Sequence, residues 1–396
     1  MIAVIADDYT GAAEIGGIGL RHGMKVVIET VPENGEKADL LIVATDTRSL
    51  HKDEAAKQIY DITLKLLKLN PDFIFKKVDS VLRGNIVNEI MAQLDVCGKK
   101  RCVLVAANPV FNRVIQNGKY LIDNIPVNQT CFSSDPQYPV KHADVVKILE
   151  NSENISVINL KYKDQLPEDG IIAGDVTDIN DLNKWTEVLD NNTMLAGASG
   201  FFNALLEKHT GKKLVKPQTD LKYGQRSFII LGSTYPKDST FFKDVENKGY
   251  YLSNMPKVLY DDQSLNPELI QIWVDDLVTG MKIYGKTIAF VDHKPKGGEN
   301  ISNRIKTIVG KTVKQVLEKT TIDDLLIEGG STTFKILDDL GIKKLYPVNE
   351  IETGVIKMKL KDNWKFNITT KPGSYFWPKD VWVPGDIKKF NNIAYD

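Results

Sequence analysis

The residues best equipped for chemistry form the run Asp7-Asp8-Tyr9-Thr10-Gly11, which directly follows a short apolar segment. Adjacent carboxylates are costly to desolvate together, so at least one should accept hydrogen bonds from free helix N–H groups or meet a cation or proton. A carboxylate in that position could deprotonate a substrate hydroxyl or hold Mg²⁺. The alternative is a helix cap beside a solvated acid, because Asp and Thr are favourable N-capping residues.

A second polar run follows another apolar segment and predicts an anion site. Its candidate binding residues are Lys76, Lys77, Asp79, Ser80 and Arg83. Strand alternation points the two lysines to opposite faces, so at most one of them serves a given side. An arginine near the next helix start could grip a planar carboxylate through two hydrogen bonds. An ordinary charged surface loop is the alternative.

Arg48 follows a third apolar segment, in the run Asp46-Thr47-Arg48. Taken alone, this run indicates a loop ion pair. As a third polar strand end beside the two runs above, Arg48 favours one shared substrate site.

Three turns in the second half of the chain have the composition of phosphate-binding loops. They are Gly232-Ser233-Thr234, Glu328-Gly329-Gly330-Ser331-Thr332 and Lys371-Pro372-Gly373. Glycines permit a positive φ and a close backbone approach, and a helix N-terminus attracts the anion. Each turn alone is a common feature, but three at one sheet edge favour a nucleotide site.

The segment Gly280–Thr287 matches the phosphate-loop pattern GxxxxGK[ST] letter for letter. That loop works only when it follows a strand and opens a helix, whose N-terminus supplies the N–H groups. Here the segment follows a predicted helix and leads into a predicted strand. We therefore predict that it binds no phosphate.

The hydrophobic pattern predicts the elements that must position these residues. The predicted strands are Ile2–Ala6, Lys25–Glu29, Asp39–Ala44, Phe73–Val78, Cys102–Ala106, Ser227–Leu231, Thr287–Val291, Asp324–Ile327, Ile356–Leu360 and Phe366–Thr370. Helical patterns separate most of them, which is typical of a parallel sheet covered on both faces. The carboxyl ends of such strands form one ligand-binding edge.

The pattern weakens over Thr210–Arg226 and then restarts, so this stretch is predicted to be a linker. We expect an α/β protein of two domains, each a largely parallel sheet flanked by helices, with an interdomain cleft. The predicted domains are residues 1–215 and 222–396.

Charge and cysteine usage exclude several classes of protein. The 51 Lys+Arg and 52 Asp+Glu give a formal net charge of −1, so no general attraction to nucleic acid or an anionic membrane is expected. No stretch approaches the roughly 18 apolar residues of a membrane span. The cysteines Cys97, Cys102 and Cys131 form no CxxC pair, and no histidine has metal-ligand spacing, so we expect reduced thiols, a cytoplasmic protein and no metal site. A homo-oligomer stays open, because the aromatic segment Tyr375–Trp382 could pack between domains or between subunits.

The motifs together resemble those of the four-carbon acid sugar kinases. The segments that carry the resemblance are Ala6–Ala12, Lys76–Asn85, Pro109, Phe111, Arg113, Asn117-Gly118, Gly197–Gly200, Gly232-Ser233 and Gly329–Thr332. Members phosphorylate the terminal hydroxyl of acids such as threonate, erythronate or 2-oxo-tetronate with ATP. The resemblance therefore implies an N-terminal acid-sugar domain, a C-terminal nucleotide domain, and ATP with Mg²⁺ as cofactors.

The resemblance also implies roles for individual residues. Asp8 would be the base at the substrate hydroxyl with Asp7 nearby, and Arg83 would fix the substrate carboxylate. The other implied substrate contacts are Arg48, Lys76 or Lys77, Asp79 and Ser80. The implied nucleotide contacts are Ser233, Gly329, Gly330, Ser331, Thr332, Lys371 and Gly373.

Two other functions stay open on sequence alone. A nicotinamide-dependent oxidoreductase is disfavoured, because Gly17-Ile18-Gly19 lacks the third glycine of the dinucleotide motif and lies inside a predicted helix. A sugar-acid clamp or sensor without phosphoryl transfer is the stronger rival. Ser331, Pro372 and Ser374 favour it, because they depart from the kinase pattern.

Overall fold

A computed structural model describes residues 1–33, 37–135, 138–149, 155–212, 223–232, 240–261, 265–292, 299–361 and 366–382 of the 396-residue chain. The chain divides into two compact units, Met1–Lys216 and Pro217–Asp396. Each unit contains a sheet with helices packed against it, so the protein is an α/β protein with mostly parallel, mixed sheets. This coarse fold prediction is confirmed.

Apolar, β-branched runs form the strands of the first unit. The strands are β1 (Ile2–Ala6), β2 (Val26–Glu29), β3 (Leu40–Ala44), β4 (Ile74–Lys77), β5 (Arg101–Val105), β6 (Arg113–Gln116), β7 (Lys119–Ile122), β8 (Ile125–Pro126), β9 (Val157–Leu160), β10 (Gly170–Gly174) and β11 (Thr193–Gly197). The helices are α1 (Tyr9–Arg21), α2 (Lys52–Leu67), α3 (Ile86–Cys97), α4 (Val145–Leu149), α5 (Ile179–Glu187) and α6 (Ser199–Thr210).

Eight of these strands are joined in one all-parallel sheet, in the order β2-β3-β1-β4-β11-β5-β10-β9. From β1 the chain passes to β2, returns to β3 between β2 and β1, and then crosses to place β4 on the other side of β1. Such a reversal leaves a crevice at the carboxyl ends of the central strands, where ligands of α/β proteins bind. Residues that directly follow β1, β3 and β4 therefore meet at this edge.

Helix α1 lies unusually close to the sheet because it is rich in small residues. A Cβ added to Gly19 would come within 2.6 Å of Leu40 and 2.8 Å of Val26. The close packing keeps the start of α1, and with it the acidic run, at the strand ends.

An antiparallel insertion interrupts the parallel pattern between β5 and β9. Its strands β6, β7 and β8 pair with one another, and β6 is tied to the rest of the unit by a bridge between Ile115 and Val176. Tyr120 of β7 is a fully buried residue of this insertion. The hydrophobic pattern of the sequence did not predict these three short strands.

The second unit repeats the alternation and ends in an antiparallel meander. Its strands are β12 (Ser227–Leu231), β13 (Tyr251–Asn254), β14 (Lys286–Phe290), β15 (Asp324–Glu328), β16 (Lys344–Glu352), β17 (Val355–Lys359) and β18 (Asn367–Lys371). Its helices are α7 (Phe241–Asn247), α8 (Lys257–Asp261), α9 (Pro267–Tyr284), α10 (Glu299–Lys319) and α11 (Gly330–Asp339). Strands β13-β14-β12-β15-β18 are parallel, whereas β17 and β16 continue the sheet in antiparallel pairing.

The aromatic segment after β18 packs within its own unit. Trp382 makes edge contacts with Phe241, Tyr250 and Trp377, at centroid distances of 5.2, 5.8 and 6.1 Å. Phe376, in contrast, is 80% exposed. Most of the predicted linker, residues 213–222, lies outside the described residues.

The segment that matches the phosphate-loop pattern has the wrong polarity, as predicted. Helix α9 ends at Tyr284, Gly285 has a φ of +69° and its N–H donates to Met281, and β14 begins at Lys286. The segment thus offers a helix C-terminus, which repels anions.

No helix in the described ranges is long and apolar enough to cross a membrane.

Candidate active site

Asp8 is the N-cap of α1, and both of its carboxylate oxygens are held. Its Oδ1 accepts a hydrogen bond from the Gly11 N–H at 2.8 Å, and its Oδ2 accepts one from the Thr10 hydroxyl at 2.8 Å. The residue is buried. A helix cap and a general base are therefore compatible roles for Asp8, since capping fixes the position of its carboxylate.

Gly11 leaves the space in which that carboxylate sits. A Cβ added to Gly11 would come within 2.7 Å of the Asp8 Oδ1 and 3.2 Å of the Lys77 Nζ. The carboxylate of Asp8 and the ammonium of Lys77 thus both approach the first turn of α1. Lys77 is almost fully buried, and its Nζ donates to the Val78 carbonyl at 2.8 Å.

Arg48 follows β3 and bridges the three carboxylates of this edge. Its Nε and Nη2 contact the Asp7 Oδ2 at 2.8 and 2.7 Å. Its Nη1 lies 3.4 Å from the Asp8 Oδ2 and 3.5 Å from the Asp79 Oδ1. Gly84 makes room for it, since a Cβ there would lie 2.8 Å from the Arg48 side chain and φ is +93°.

Arg83 returns to Asp79 through the turn that follows β4. Its Nε and Nη2 donate to the two Asp79 oxygens at 2.8 and 2.9 Å, a bidentate pair, and its backbone N–H donates at 3.1 Å. Leu82 has a φ of +61°, which is strained for a branched side chain and turns the chain back on itself. The Arg83 Nη1 also donates to Asp135 at 2.8 Å.

These charges hold one another in the ionised state. Burial alone would raise the pKa of Asp8, but the charges of Arg48 and Lys77 and the hydrogen bonds described above hold it below its ordinary value. Burial also opposes ionisation of Asp79, yet Arg83 and Arg48 hold its pKa far below the usual range. Burial lowers the pKa of Arg48 and the three carboxylates more than offset that, so its pKa is raised.

Lys76 faces the other side of β4 and has its own partner. Its Nζ lies 2.6 Å from the Glu89 Oε2 of α3, and the side chains are 0% and 2% exposed. Burial raises the pKa of Glu89, and Lys76 opposes that rise. The two neighbouring lysines therefore point to opposite faces, and only Lys77 approaches Asp8.

Ser80 connects the β4 turn to the antiparallel insertion. Its hydroxyl accepts a hydrogen bond from Arg113 of β6, and its carbonyl accepts one from the Tyr120 hydroxyl. The Phe132 ring lies between two guanidinium groups, 5.2 Å from that of Arg83 and 5.6 Å from that of Arg113. Sequence reasoning missed Phe132 and Asp135, because no local pattern marks them.

In the second unit, the glycine turn joins β15 to α11 as predicted. Gly329 has a φ of +101°, and its N–H donates to the Lys371 carbonyl at 2.9 Å. Gly232 ends the neighbouring strand so closely that a Cβ would lie 2.4 Å from the Thr332 Oγ1 and 2.7 Å from the Glu328 carbonyl. Gly330 opens α11 and Ser331 follows in its first turn, so the backbone there can take an anion. Ser233 lies outside the described residues.

Lys371 is directed away from solvent toward its own strand end. Its Nζ lies 3.0 Å from the Glu328 Oε2, and the two side chains are 1% and 0% exposed. The same amino group donates to the carbonyls of Pro372 at 2.8 Å and Tyr375 at 2.5 Å, with Gly373 at 3.5 Å. The Trp377 indole N–H donates to the Glu328 Oε2 at 3.1 Å. Lys371 therefore orders the loop that contains Gly373.

The structure thus brings seven of the predicted substrate-site residues to one edge of the first unit: Asp7, Asp8, Arg48, Lys77, Asp79, Ser80 and Arg83. Lys76 lies on the opposite face of the same strand. Within the described ranges, no three His, Cys, Asp or Glu side chains are arranged to hold a metal ion. Arg48 occupies the space among the three aspartates.

The first unit is similar to domains and enzymes that are already known. A family model described as a sugar-binding N-terminal domain matches residues 2–205. The chain is 28% identical over 221 residues to a D-threonate kinase of Salmonella typhimurium, and 35% identical over 162 residues to a D-erythronate kinase of Heliobacterium modesticaldum. These matches cover 51% and 39% of this chain, and 52% and 37% of the two relatives, so they span about half of the first relative and just over a third of the second.

A crystal structure of a Haemophilus influenzae protein has the same fold. It superposes with a TM-score of 0.67 at 18% identity and covers 98% of both chains. The family model spans more than half of the chain, and the strand ends it covers carry the acidic and basic runs described above. The protein therefore belongs to the four-carbon acid sugar kinase family.

Proposed function

We propose that this protein is an ATP-dependent kinase that phosphorylates the terminal hydroxyl of a four-carbon sugar acid. The observation that carries the proposal is the state of Asp8, a capped and ionised carboxylate at the ligand-binding edge with cations on two sides. Family membership and relatives named as D-threonate and D-erythronate kinases support it.

Asp8 is the proposed base. Phosphoryl transfer requires little covalent chemistry from the protein, which must align the hydroxyl, accept its proton and balance the charge of the phosphoryl group. Hydrogen bonds from Gly11 and Thr10 leave the Asp8 carboxylate fixed rather than free to rotate. Lys77 stands at the same helix turn, where its ammonium would attract the transferred group.

Asp7 has a supporting role in this proposal. Its Oδ2 takes two contacts from Arg48, and its Oδ1 is buried with no hydrogen-bond partner among the described residues. The two contacts with Asp7 hold Arg48 in place, and Arg48 in turn reaches Asp8 and Asp79. Asp7 is therefore better suited to orient the site than to accept a proton.

The glycine turn at Gly329 and the start of α11 are the proposed site for ATP. The positive φ at Gly329 and the glycine at position 232 keep Cβ atoms out of this turn, which would let a phosphate approach its backbone. Gly330, Ser331 and Thr332 would supply N–H groups, and Gly373 would lie on the loop that Lys371 orders. We expect Mg²⁺ to accompany the triphosphate and offset part of its charge.

A coupled ADP-release assay over a panel of sugar acids tests the proposal. The panel should contain both stereoisomers of threonate and erythronate, with the 2-oxo and 3-oxo tetronates. We expect ADP release that depends strictly on one acid or a small group of them. Calorimetric binding of ATP and of an acid, with no ADP release above the background of ATP alone, would contradict the kinase and leave the clamp.

A further inference from the structure

The cations at the ligand-binding edge of the first unit differ in how far their charge is already neutralised. Arg48 lies within 3.5 Å of three carboxylates, and Arg83 forms ion pairs with Asp79 and Asp135. Lys76 is paired with Glu89 on the other face. An arginine that is held between carboxylates has little charge left for an incoming anion, because displacing its partners leaves buried carboxylates unpaired.

Arg113 is the exception among the arginines of this edge. Its contacts in the described part of the chain are the Ser80 hydroxyl, which is neutral, and the face of the Phe132 ring. No Asp or Glu of the described residues lies within ion-pair distance of it. Its guanidinium is half-buried, so water screens its charge only in part.

The surroundings of Arg113 also fix its orientation. The Ser80 hydroxyl holds one Nη1 donor, and the Phe132 ring supports the guanidinium plane from one side. Ser80 follows Asp79, which pairs with Arg83 and Arg48, and Arg48 reaches Asp8, so Arg113 joins the same cluster of strand-end side chains as the proposed base. A fixed, uncompensated guanidinium suits bidentate recognition of a carboxylate.

At this edge, Lys77 is a second cation with no carboxylate oxygen within 4 Å among the described residues. Its ammonium stands at the first turn of α1, where its charge acts on Asp8. It therefore serves the reacting end of the site, and a point charge gives less orientation than a planar fork.

We propose that Arg113 binds the carboxylate of the sugar acid, with Ser80 and Phe132 as the groups that orient it, and that Arg83 shapes the site through Asp79 and Asp135. This inference rests on the proposed function for the identity of the ligand. It replaces Arg83 by Arg113 as the residue that selects an acid over a neutral sugar.

The test compares Arg113→Gln and Arg113→Lys with the native protein, using the best acid of the panel and its primary amide. Arg101→Gln is the matched control, because Arg101 is a partly buried arginine of the same unit at the opposite end of the strands, paired with Asp190. Binding of the acid is measured by calorimetry as well as by KM. The binding measurement needs no phosphoryl transfer and so separates this inference from the kinase proposal.

We expect Arg113→Gln to weaken acid binding and raise the KM for the acid by about 10- to 100-fold, as for the loss of a charge-assisted hydrogen bond. The KM for ATP should change less than about twofold, and the preference for acid over amide should largely disappear. The acid affinity of Arg113→Lys should lie between those of the native protein and Arg113→Gln. Arg101→Gln should leave the KM values for the acid and for ATP unchanged. If Arg113→Gln is poorly folded by thermal melting, the Lys variant decides, with a KM for the acid above the native value.

An unchanged acid affinity in a folded Arg113 variant would overturn the inference and leave the kinase proposal intact. A raised KM for ATP with an unchanged KM for the acid would also overturn it, since it would assign Arg113 to the nucleotide. A native protein that binds an acid through Arg113 but releases no ADP would refute only the kinase. A native protein that neither binds nor phosphorylates any acid would refute both.

Discussion

The two candidate sites are built from different materials. At the edge of the first unit, charged side chains from three strand ends form a network of two arginines and four aspartates, and the backbone contributes mainly caps. In the second unit, the candidate groups are the backbone N–H groups of the Gly329 turn and of the start of α11, and the charged side chains of Glu328 and Lys371 are buried. Under the proposed function, the first arrangement would distinguish small ligands by their charged groups, whereas the second would bind a phosphate chain mainly through backbone N–H groups.

Each unit also contains one fully buried Lys–Glu pair, and the pairs differ in what surrounds them. Glu89 faces Lys76 in the interior of the first unit. In the second unit, Lys371 pairs with Glu328 and also donates hydrogen bonds to carbonyls of the following loop. The Trp377 indole N–H donates a further hydrogen bond to Glu328. The first pair lies between a strand and a helix, while the second sets the conformation of the loop that contains Gly373.

Replacement of Asp8 by Asn should have the largest effect on catalysis. Asn preserves the helix cap but cannot accept the proton, so we expect kcat to fall by about 10²- to 10⁴-fold. The loss of the charge that faces Arg48 and Lys77 should also lower the melting temperature. Asp178→Asn is the control. Asp178 caps α5 by accepting a hydrogen bond from the Asp181 N–H, and it is distant in sequence from the acidic run. A kcat within about tenfold of native would remove Asp8 as the base.

Replacement of Lys76 by Met should mainly affect stability. It leaves Glu89 buried and uncompensated, so the free energy of unfolding should fall by about 3–5 kcal/mol in urea titrations. The double variant Lys76→Met/Glu89→Leu should recover most of that loss. Recovery together with near-native KM values would assign Lys76 to the fold; a lost acid affinity in the stable double variant would return it to the substrate site.

Replacement of Gly11 by Ala tests whether the Asp8 carboxylate must stand where it does. Alanine favours the helix, but its methyl group would meet the Asp8 Oδ1 at 2.7 Å and displace it. We expect kcat to fall by up to about 10²-fold while the melting temperature stays the same or rises. An unaffected kcat in a folded variant would show that catalysis tolerates displacement of the Asp8 carboxylate. That result would contradict the prediction that catalysis needs this carboxylate in its capped position.

Replacement of Gly329 by Ala should affect only the nucleotide. A φ of +101° is unfavourable for alanine, so the turn must shift and we expect the KM for ATP to rise by about tenfold with the KM for the acid unchanged. Gly341→Ala is the control, because Gly341 also has a positive φ, lies just beyond the other end of α11 and has open space around it. Equal effects of the two variants would mean that strain, and not the ligand, explains the result.

The pH profile should show the smallest effect. The pKa values of Asp8 and Asp79 lie below the ordinary value of 3.8, so both groups remain ionised from pH 8 down to pH 5. Their contribution to stability is complete above that ordinary pKa and is lost only as the pH falls through the lower folded values. We expect kcat/KM to show no acidic limb from Asp8 above pH 5; a limb near pH 6 would require a different base.

The sequence predicts most of the framework that holds these sites, because local periodicity determines it. Strands β1 and β12 have the predicted bounds, and the polar strand ends converge because parallel topology allows no other arrangement. Strand β16 was missed, since its Pro347 and its exposed positions break the usual apolar pattern. Strands β10 and β11 were missed too, because glycine at their ends shortens the apolar run.

The partners of the charged residues were less predictable than the residues themselves. Arg48 was identified, but its bridging of three aspartates depends on where the β4 turn returns. Asp135 lies 52 residues from Arg83, and no local spacing connects them. The burial of Lys371 follows from its register opposite Glu328, which only strand pairing reveals.

Arg113 lies on the antiparallel insertion formed by β6, β7 and β8, and this location has a consequence for engineering the protein. The eight parallel strands of the first unit are hydrogen-bonded to one another without help from β6, β7 or β8. Exchange of the insertion would therefore change the proposed contact with the acid without removing a strand of that sheet or the residues after β1. Grafting this segment from a relative that prefers another acid is the natural route to re-engineering ligand choice.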